Sequence, residues 1–179
     1  MKEYEFTLIV AGDLDSDEVV NALYEAGCDD ASFGEVNGVG VGDFTREANS
    51  ILDAVASAIS QVESVGGLRV RRVEPEPLVT IPEIAERLGR TPESIRLLAN
   101  GERGGGTFPP PVSHLRTRQR LWRWADVAEW AGELKPAEVE DARVLAAFNV
   151  GLEYRHLAGA LDIEVLQLIG ESLGTGDAA

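Results

Sequence analysis

Two short, separately capped helices stand back to back in the middle of this chain, and no other stretch restricts the fold as tightly. "TIPEIAERLG" opens with Thr80 three residues before Glu83, the pattern of a capping box, carries Pro82 in its first turn and stops at Gly89. "TPESIRLLANG" starts again at once, with Thr91 as a second N-cap, Pro92 at the first helical position and Gly101 as a C-terminal stop. Proline lacks the N–H that a helix interior needs, so the chain turns at Gly89-Arg90. Two capped helices joined by so short a turn make a helix-turn-helix unit.

The residues beyond the unit are equally directive. "ERGGGTFPPPV" cannot be helical, and its prolines predict an extended path, because each fixes φ and supplies no ladder donor. "VSHLRTRQRLWRW" reads as two short strands around the tip Thr117-Arg118-Gln119, and "WADVAEWAGEL" as a third helix stopped by Lys135-Pro136. Helix resumes from 136, with Val139, Ala142, Leu145, Phe148 and Leu152 at helical spacing. Asp162 is placed to cap a last helix through Leu173, and 174–179 reads as a disordered tail.

The first 74 residues alternate strands and helices. "YEFTLIV" puts Tyr4, Phe6, Leu8 and Val10 on one face of a strand. Asp15 or Ser16 caps a helix with Val19, Val20, Leu23 and Tyr24 inward, ended by Gly27. "DASFGEV" and "VGVGDF" form a hairpin across Asn37-Gly38. Asn49 or Ser50 caps a helix burying Ile51, Leu52, Val55, Ile59 and Val62, and "LRVRRVEP" is a fourth strand after Gly66-Gly67. Strand, helix, strand, strand, helix, strand is the order of a ferredoxin-like domain. The expected fold is therefore α+β: a ferredoxin-like βαββαβ domain at 1–74, a linker at 75–79, a winged helix-turn-helix at 80–135, and C-terminal helices at 136–173 that either dimerise or complete a core.

Charge separates these segments. Net charge is −15, but 1–77 carry 5 basic against 16 acidic residues, and 133–179 carry 3 against 9. Between them, Arg96 to Arg123 holds six arginines against Glu102 alone. The chain as a whole repels nucleic acid at long range, so this island of arginine, the residue of bidentate contacts, is the exception that needs a reason.

The segment 78–131 resembles the winged helix-turn-helix of MerR-type regulators and excisionase-like proteins. The marks are "EIAERLGRTPESIR", "FPPPV", the arginine-bearing hairpin and "RLWRWADVAEW" leading into a helix. The whole chain is similar to small DNA-binding proteins that place an acidic α/β domain ahead of such a module. Two departures stand out: only about 40 residues follow the module, where MerR regulators carry a long dimerisation helix and an effector region, and the acidic N-terminal domain is foreign to both families. The resemblance implies that the second helix enters the major groove and that the hairpin reaches the flanking backbone or minor groove.

Residue chemistry agrees. Ile95, Leu98 and Ala99 would face the core, with Ser94, Arg96 and Asn100 outward and Arg90 and Thr91 at the helix start, where backbone N–H groups can hold a phosphate. Arg96 is the candidate for a base edge. Arg116, Arg118, Gln119 and Arg120 would grip phosphates or the minor groove near the tip. Trp122, Trp124 and Trp130 are expected to pack the wing and third helix onto the first two helices.

Other constellations fail on chemistry. Asp13, Asp15 and Asp17 have calcium-loop spacing, but the loop's required glycine and distal glutamate fall on Glu18 and Tyr24. "NGVGVG" and "GERGGG" do not continue as phosphate loops. Cys28 is the lone cysteine and His114 and His156 are far apart, so no zinc set is expected. No catalytic pattern, cofactor or metal is expected. No signal peptide or membrane span is read, which with the single cysteine predicts a cytoplasmic protein. The leading expectation is a sequence-specific regulator that binds double-stranded DNA as a homodimer. The alternatives are an antitoxin-like or anti-nuclease component whose acidic N-terminal domain holds a basic protein partner, an excisionase-like DNA-bending factor, or a domain that senses a small ligand.

Overall fold

The computed structural model describes residues 1–14, 16–75, 77–117, 119–132 and 136–173. Alternation of apolar residues sets the first sheet. Strand β1 (Lys2–Ala11) buries Phe6, Leu8 and Val10 and exposes Glu3 and Glu5. Helix α1 (Asp17–Glu25), strands β2 (Ala31–Val36) and β3 (Val39–Ala48), helix α2 (Ile51–Ser64) and strand β4 (Arg69–Glu74) follow in the expected order. The sheet order is β2-β3-β1-β4, with every neighbouring pair antiparallel. Asn37 and Gly38 both take positive φ (54° and 79°), the backbone that a two-residue turn needs to match strand twist. Phe6 lies opposite Phe44 and stacks on it at 5.2 Å.

One face of this sheet is covered by Leu23 of α1 and by Ile51, Ala54, Val55, Ala58 and Val62 of α2. Ser50 caps α2, its side chain accepting from the Asp53 N–H at 3.1 Å. Ser16 is the N-cap of α1, and Asp15, the alternative cap, lies outside the described residues. The inward rows are narrower than their apolar residues suggest: Val20, Tyr24 and Leu52 are exposed. A helix on a sheet meets it along one stripe, and these three lie off that stripe.

Helix α6 (Pro136–Ala158) returns to this first core, where Leu145 and Leu152 join the buried set. β4 is an edge strand with backbone groups that need partners. Asn149, itself buried, provides them: the Val73 N–H donates to its Oδ1 and its Nδ2 donates to the Val73 carbonyl, both at 2.8 Å. Arg155 donates to the Val70 carbonyl and grips Glu63 with both terminal nitrogens, and Glu63 in turn accepts from the Val70 N–H. The sheet edge is thus sealed by side chains of a helix.

A second core gathers Val79, Ile84, Ala85, Ile95, Leu98, Trp122 and Val127. It is built from strand β5 (Leu78–Val79), helices α3 (Ile81–Arg87) and α4 (Pro92–Ala99), strand β6 (Trp122–Arg123) and helix α5 (Trp124–Ala131). Three details differ from expectation. Leu78 and Val79, read as linker, pair with Arg123 and Trp122. The expected hairpin shows, among the described residues, one isolated bridge between Ser113 and Leu121: His114 beside it takes a positive φ of 55° and its carbonyl accepts from the Thr117 N–H, so that arm leaves the extended path. α5 ends before Lys135-Pro136, at Gly132, which adopts the left-handed conformation with φ 62°; Lys135 lies outside the described residues. Helix α7 (Ile163–Ser172) closes the described chain with Asp162 as N-cap and no buried residue. No helix among the described residues is long and apolar enough to cross a membrane.

Candidate nucleic-acid interface

The turn between α3 and α4 is fixed by local hydrogen bonding. Thr80 donates to the Glu83 carboxylate from both its N–H and its hydroxyl, at 2.6 Å each. These bonds hold the Glu83 carboxyl below its ordinary pKa. At the other end of α3, Gly89 at φ 59° lets its own N–H reach Glu86 O and lets the Arg90 N–H reach Ala85 O. That is a Schellman closure, and it is repeated after α4, where Gly101 at φ 74° sends its N–H to Leu98 O and the Glu102 N–H to Leu97 O. Thr91 caps α4 by accepting the Ser94 N–H at 3.2 Å.

This frame sorts the candidate residues. Ile95 and Leu98 are buried and Ala99 half-buried, as the expected inward row requires. Thr91, Arg96 and Asn100 are exposed, and Ser94 is half-buried. Arg96 bonds to Glu93 one turn earlier, a contact that raises the pKa of its guanidinium. Glu93 was missed as part of this surface, although i, i+3 spacing from Arg96 signals the pair. Asn100 and Arg120, twenty residues apart, are brought together: Arg120 donates to Asn100 Oδ1 at 2.9 Å, and Asn100 Nδ2 donates to Glu102 at 3.0 Å. Arg120 also lies over the Trp122 ring, 5.3 Å from its centroid.

Arg90 goes elsewhere, stacking over Trp130 at 5.8 Å, while Arg87 does the same over Trp124 at 5.0 Å. Arg116 and Gln119 are exposed near the tip, where the Thr117 N–H closes a turn on His114 O and the Gln119 N–H bonds the Thr117 hydroxyl. Arg118 lies outside the described residues.

The tryptophans clamp the proline segment. Trp122, 1% exposed, donates from Nε1 to Pro109 O at 3.0 Å, and Trp130 donates to the Thr107 hydroxyl at 3.1 Å. Phe108 sits edge-on to both rings, at 6.2 and 4.8 Å between centroids. Proline stiffness and aromatic packing together set where the arginine-bearing segment leaves the core.

The far side of the sheet has a different character. β1 and β3 pair with Glu3 opposite Glu47, Glu5 opposite Thr45 and Thr7 opposite Asp43, and Glu74 lies opposite Thr7 on the other flank. Comparison with known proteins gives no matching family model, no matching curated sequence and no matching solved structure.

Proposed function

We propose that this chain is a sequence-specific binding protein for double-stranded DNA, a small transcriptional regulator that acts as a dimer and carries out no catalysis itself. The observation that carries the reading is the α3–α4 pair, each helix capped and closed locally, with Arg96, Asn100 and Arg120 presented on one surface beside α4. We read α3, α4 and the segment through α5 as a winged helix-turn-helix of the MerR and excisionase type, with α4 as the major-groove helix. The βαββαβ order and the antiparallel β2-β3-β1-β4 sheet support a ferredoxin-like first domain. The burial of Leu145 and Leu152 in its core supports α6 as part of that unit. Glu93 holds Arg96 in the free protein and Asn100 holds Arg120, so DNA competes with these contacts for both guanidiniums.

The test is a selection of duplexes followed by binding across a salt series. The reading expects one preferred sequence and an affinity that falls with salt at a log–log slope of about −0.9 per phosphate contact. Arg96→Ala is expected to lower affinity for that sequence roughly tenfold to a hundredfold and to flatten discrimination at one base pair. Arg116→Ala should weaken all duplexes alike and reduce the slope by about one. No binding to any duplex at low salt would sink the proposal.

The carboxylates Glu3, Glu5, Asp43, Glu47 and Glu74 on the open sheet face favour a second reading, in which this face holds a basic protein partner. Charge reversal by Glu5→Lys with Asp43→Lys should then abolish a salt-sensitive complex with that partner, and a complex indifferent to both would refute it.

A further inference from the structure

Two helices at the C-terminal end leave apolar surface uncovered. α6 packs on β4, α5 and α2, yet Val150, Tyr154 and Leu157, which share one stripe, are exposed. α7 is the sharper case. It is too short to persist alone in water, and Ile163, Leu168 and Leu173 are each more than 60% exposed. At helical spacing Val165, Leu166, Ile169 and Leu173 share a face, with Glu164, Gln167 and Glu171 opposite.

The same chain carries a receptor of matching chemistry. A groove of about 460 Å³ runs between α2 and α6, walled by Leu52, Ile59, Val144, Phe148 and Leu152. Its charged wall residue is Arg155, whose guanidinium is paired with Glu63, and past it the rim continues into Arg69, Arg71 and His156, so the rim is basic on balance. α7 with its cap carries Asp162, Glu164 and Glu171 and no basic residue, so apolar face meets apolar groove and acidic helix meets basic rim.

We propose that α7 of one copy seats in the α2–α6 groove of a second copy and that the partner's α7 is received in return. Among the described residues of a single chain the groove stays open. The Gly159 and Ala160 N–H groups close α6 on Arg155 O and Leu157 O, and no residue of α7 is buried beyond that turn. Exchange of a terminal element across a short hinge gives a closed, two-fold dimer without new surface chemistry. The exchange deepens the DNA reading, because a two-fold axis sets two copies of α4 on one duplex. Its test contains no DNA, so the two stand or fall separately.

The experiment is light scattering coupled to size exclusion on the full chain, with circular dichroism confirming that each variant is folded. The wild type is expected at twice 19.2 kDa. Ile169→Glu on the helix and Leu52→Glu on the groove rim should each raise the dimer dissociation constant at least a hundredfold. Leu52 is half exposed, so its replacement spares the core. A monomeric wild type would overturn the proposal. So would a dimer that Ile169→Glu destroys and Leu52→Glu leaves intact, since that pattern means that the two α7 helices pack on each other.

Discussion

Replacing Asn149 by leucine tests how the C-terminal helix is joined to the first domain. Leucine keeps asparagine's branched shape with two somewhat bulkier methyls in place of the amide oxygen and nitrogen, so Leu145 and Leu152 still have a side chain to pack on while both polar bonds to Val73 are lost. Val73 is fully buried, and Asn149 is 8% exposed. Water therefore cannot replace the lost partners, and one N–H and one carbonyl are left unsatisfied. Each such group costs about 1–3 kcal/mol, which puts the pair at about 2–5 kcal/mol once the gain from a more apolar side chain is set against it. That is a large part of the ~5–15 kcal/mol by which a domain of this kind is stable. Chemical denaturation reads the loss directly as a lower midpoint at unchanged slope. Hydrogen exchange localises it, because the Val73 amide should lose protection before amides in the middle of β1. A midpoint within error of wild type, with the Val73 amide still protected, would refute the view that Asn149 seals the sheet edge.

Arg46 is buried on the inner face of β3, where it bonds both oxygens of Asp30 at 2.7 and 2.8 Å and also Ser57 and the Gly27 carbonyl. Burial opposes its charge, but the Asp30 contacts outweigh that and raise its pKa. Arg46→Met should cost about 3 kcal/mol in denaturation, the lower part of the range for breaking a buried pair, since Asp30 keeps some solvent; wild-type stability would count against it. Glu83 supplies a pH effect. Its folded pKa is depressed by the bonds from Thr80, so its contribution is complete above the unfolded value and is lost as pH falls through the folded one. Glu83→Gln should remove that acid-dependent part, seen as a smaller drop in melting temperature between neutral and acid pH than in wild type. An equal drop in both proteins would reject the capping assignment.

Local signals carried most of the α3–α4 pair. Thr80, Pro82, Gly89, Thr91, Pro92 and Gly101 act through backbone geometry within a turn of themselves, so their effect is legible without knowing what lies around them. The Asn37-Gly38 hairpin and the alternation of Phe6, Leu8 and Val10 are of the same kind. The hairpin expected at 112–124 is reduced, among the described residues, to the Ser113–Leu121 bridge, because residue preference for strand does not reveal that His114 takes a positive φ. Val20, Tyr24 and Leu52 were placed inward because spacing gives a helix face but not its width against a sheet. In the candidate interface, the exposure of Arg96 and the burial of Ile95 followed from period alone. The stacking of Arg90 on Trp130 and the bond from Arg120 to Asn100 did not, since each joins residues twenty or more positions apart.

By itself the sequence determined the elements, their order, their caps and turns, and the separation of charge into an arginine island between acidic flanks. These are short-range properties, set by proline, glycine, side-chain caps and hydrophobic period. Only the tertiary structure decided that α6 belongs to the first core, through Asn149 and Arg155 on the edge of β4, and that Trp122 and Trp130 clamp the proline segment. It alone left α7 without a buried residue and the α2–α6 groove open. Such contacts depend on which strand becomes an edge and which helix face meets it, and chain-distant geometry of that kind is not written in any local pattern.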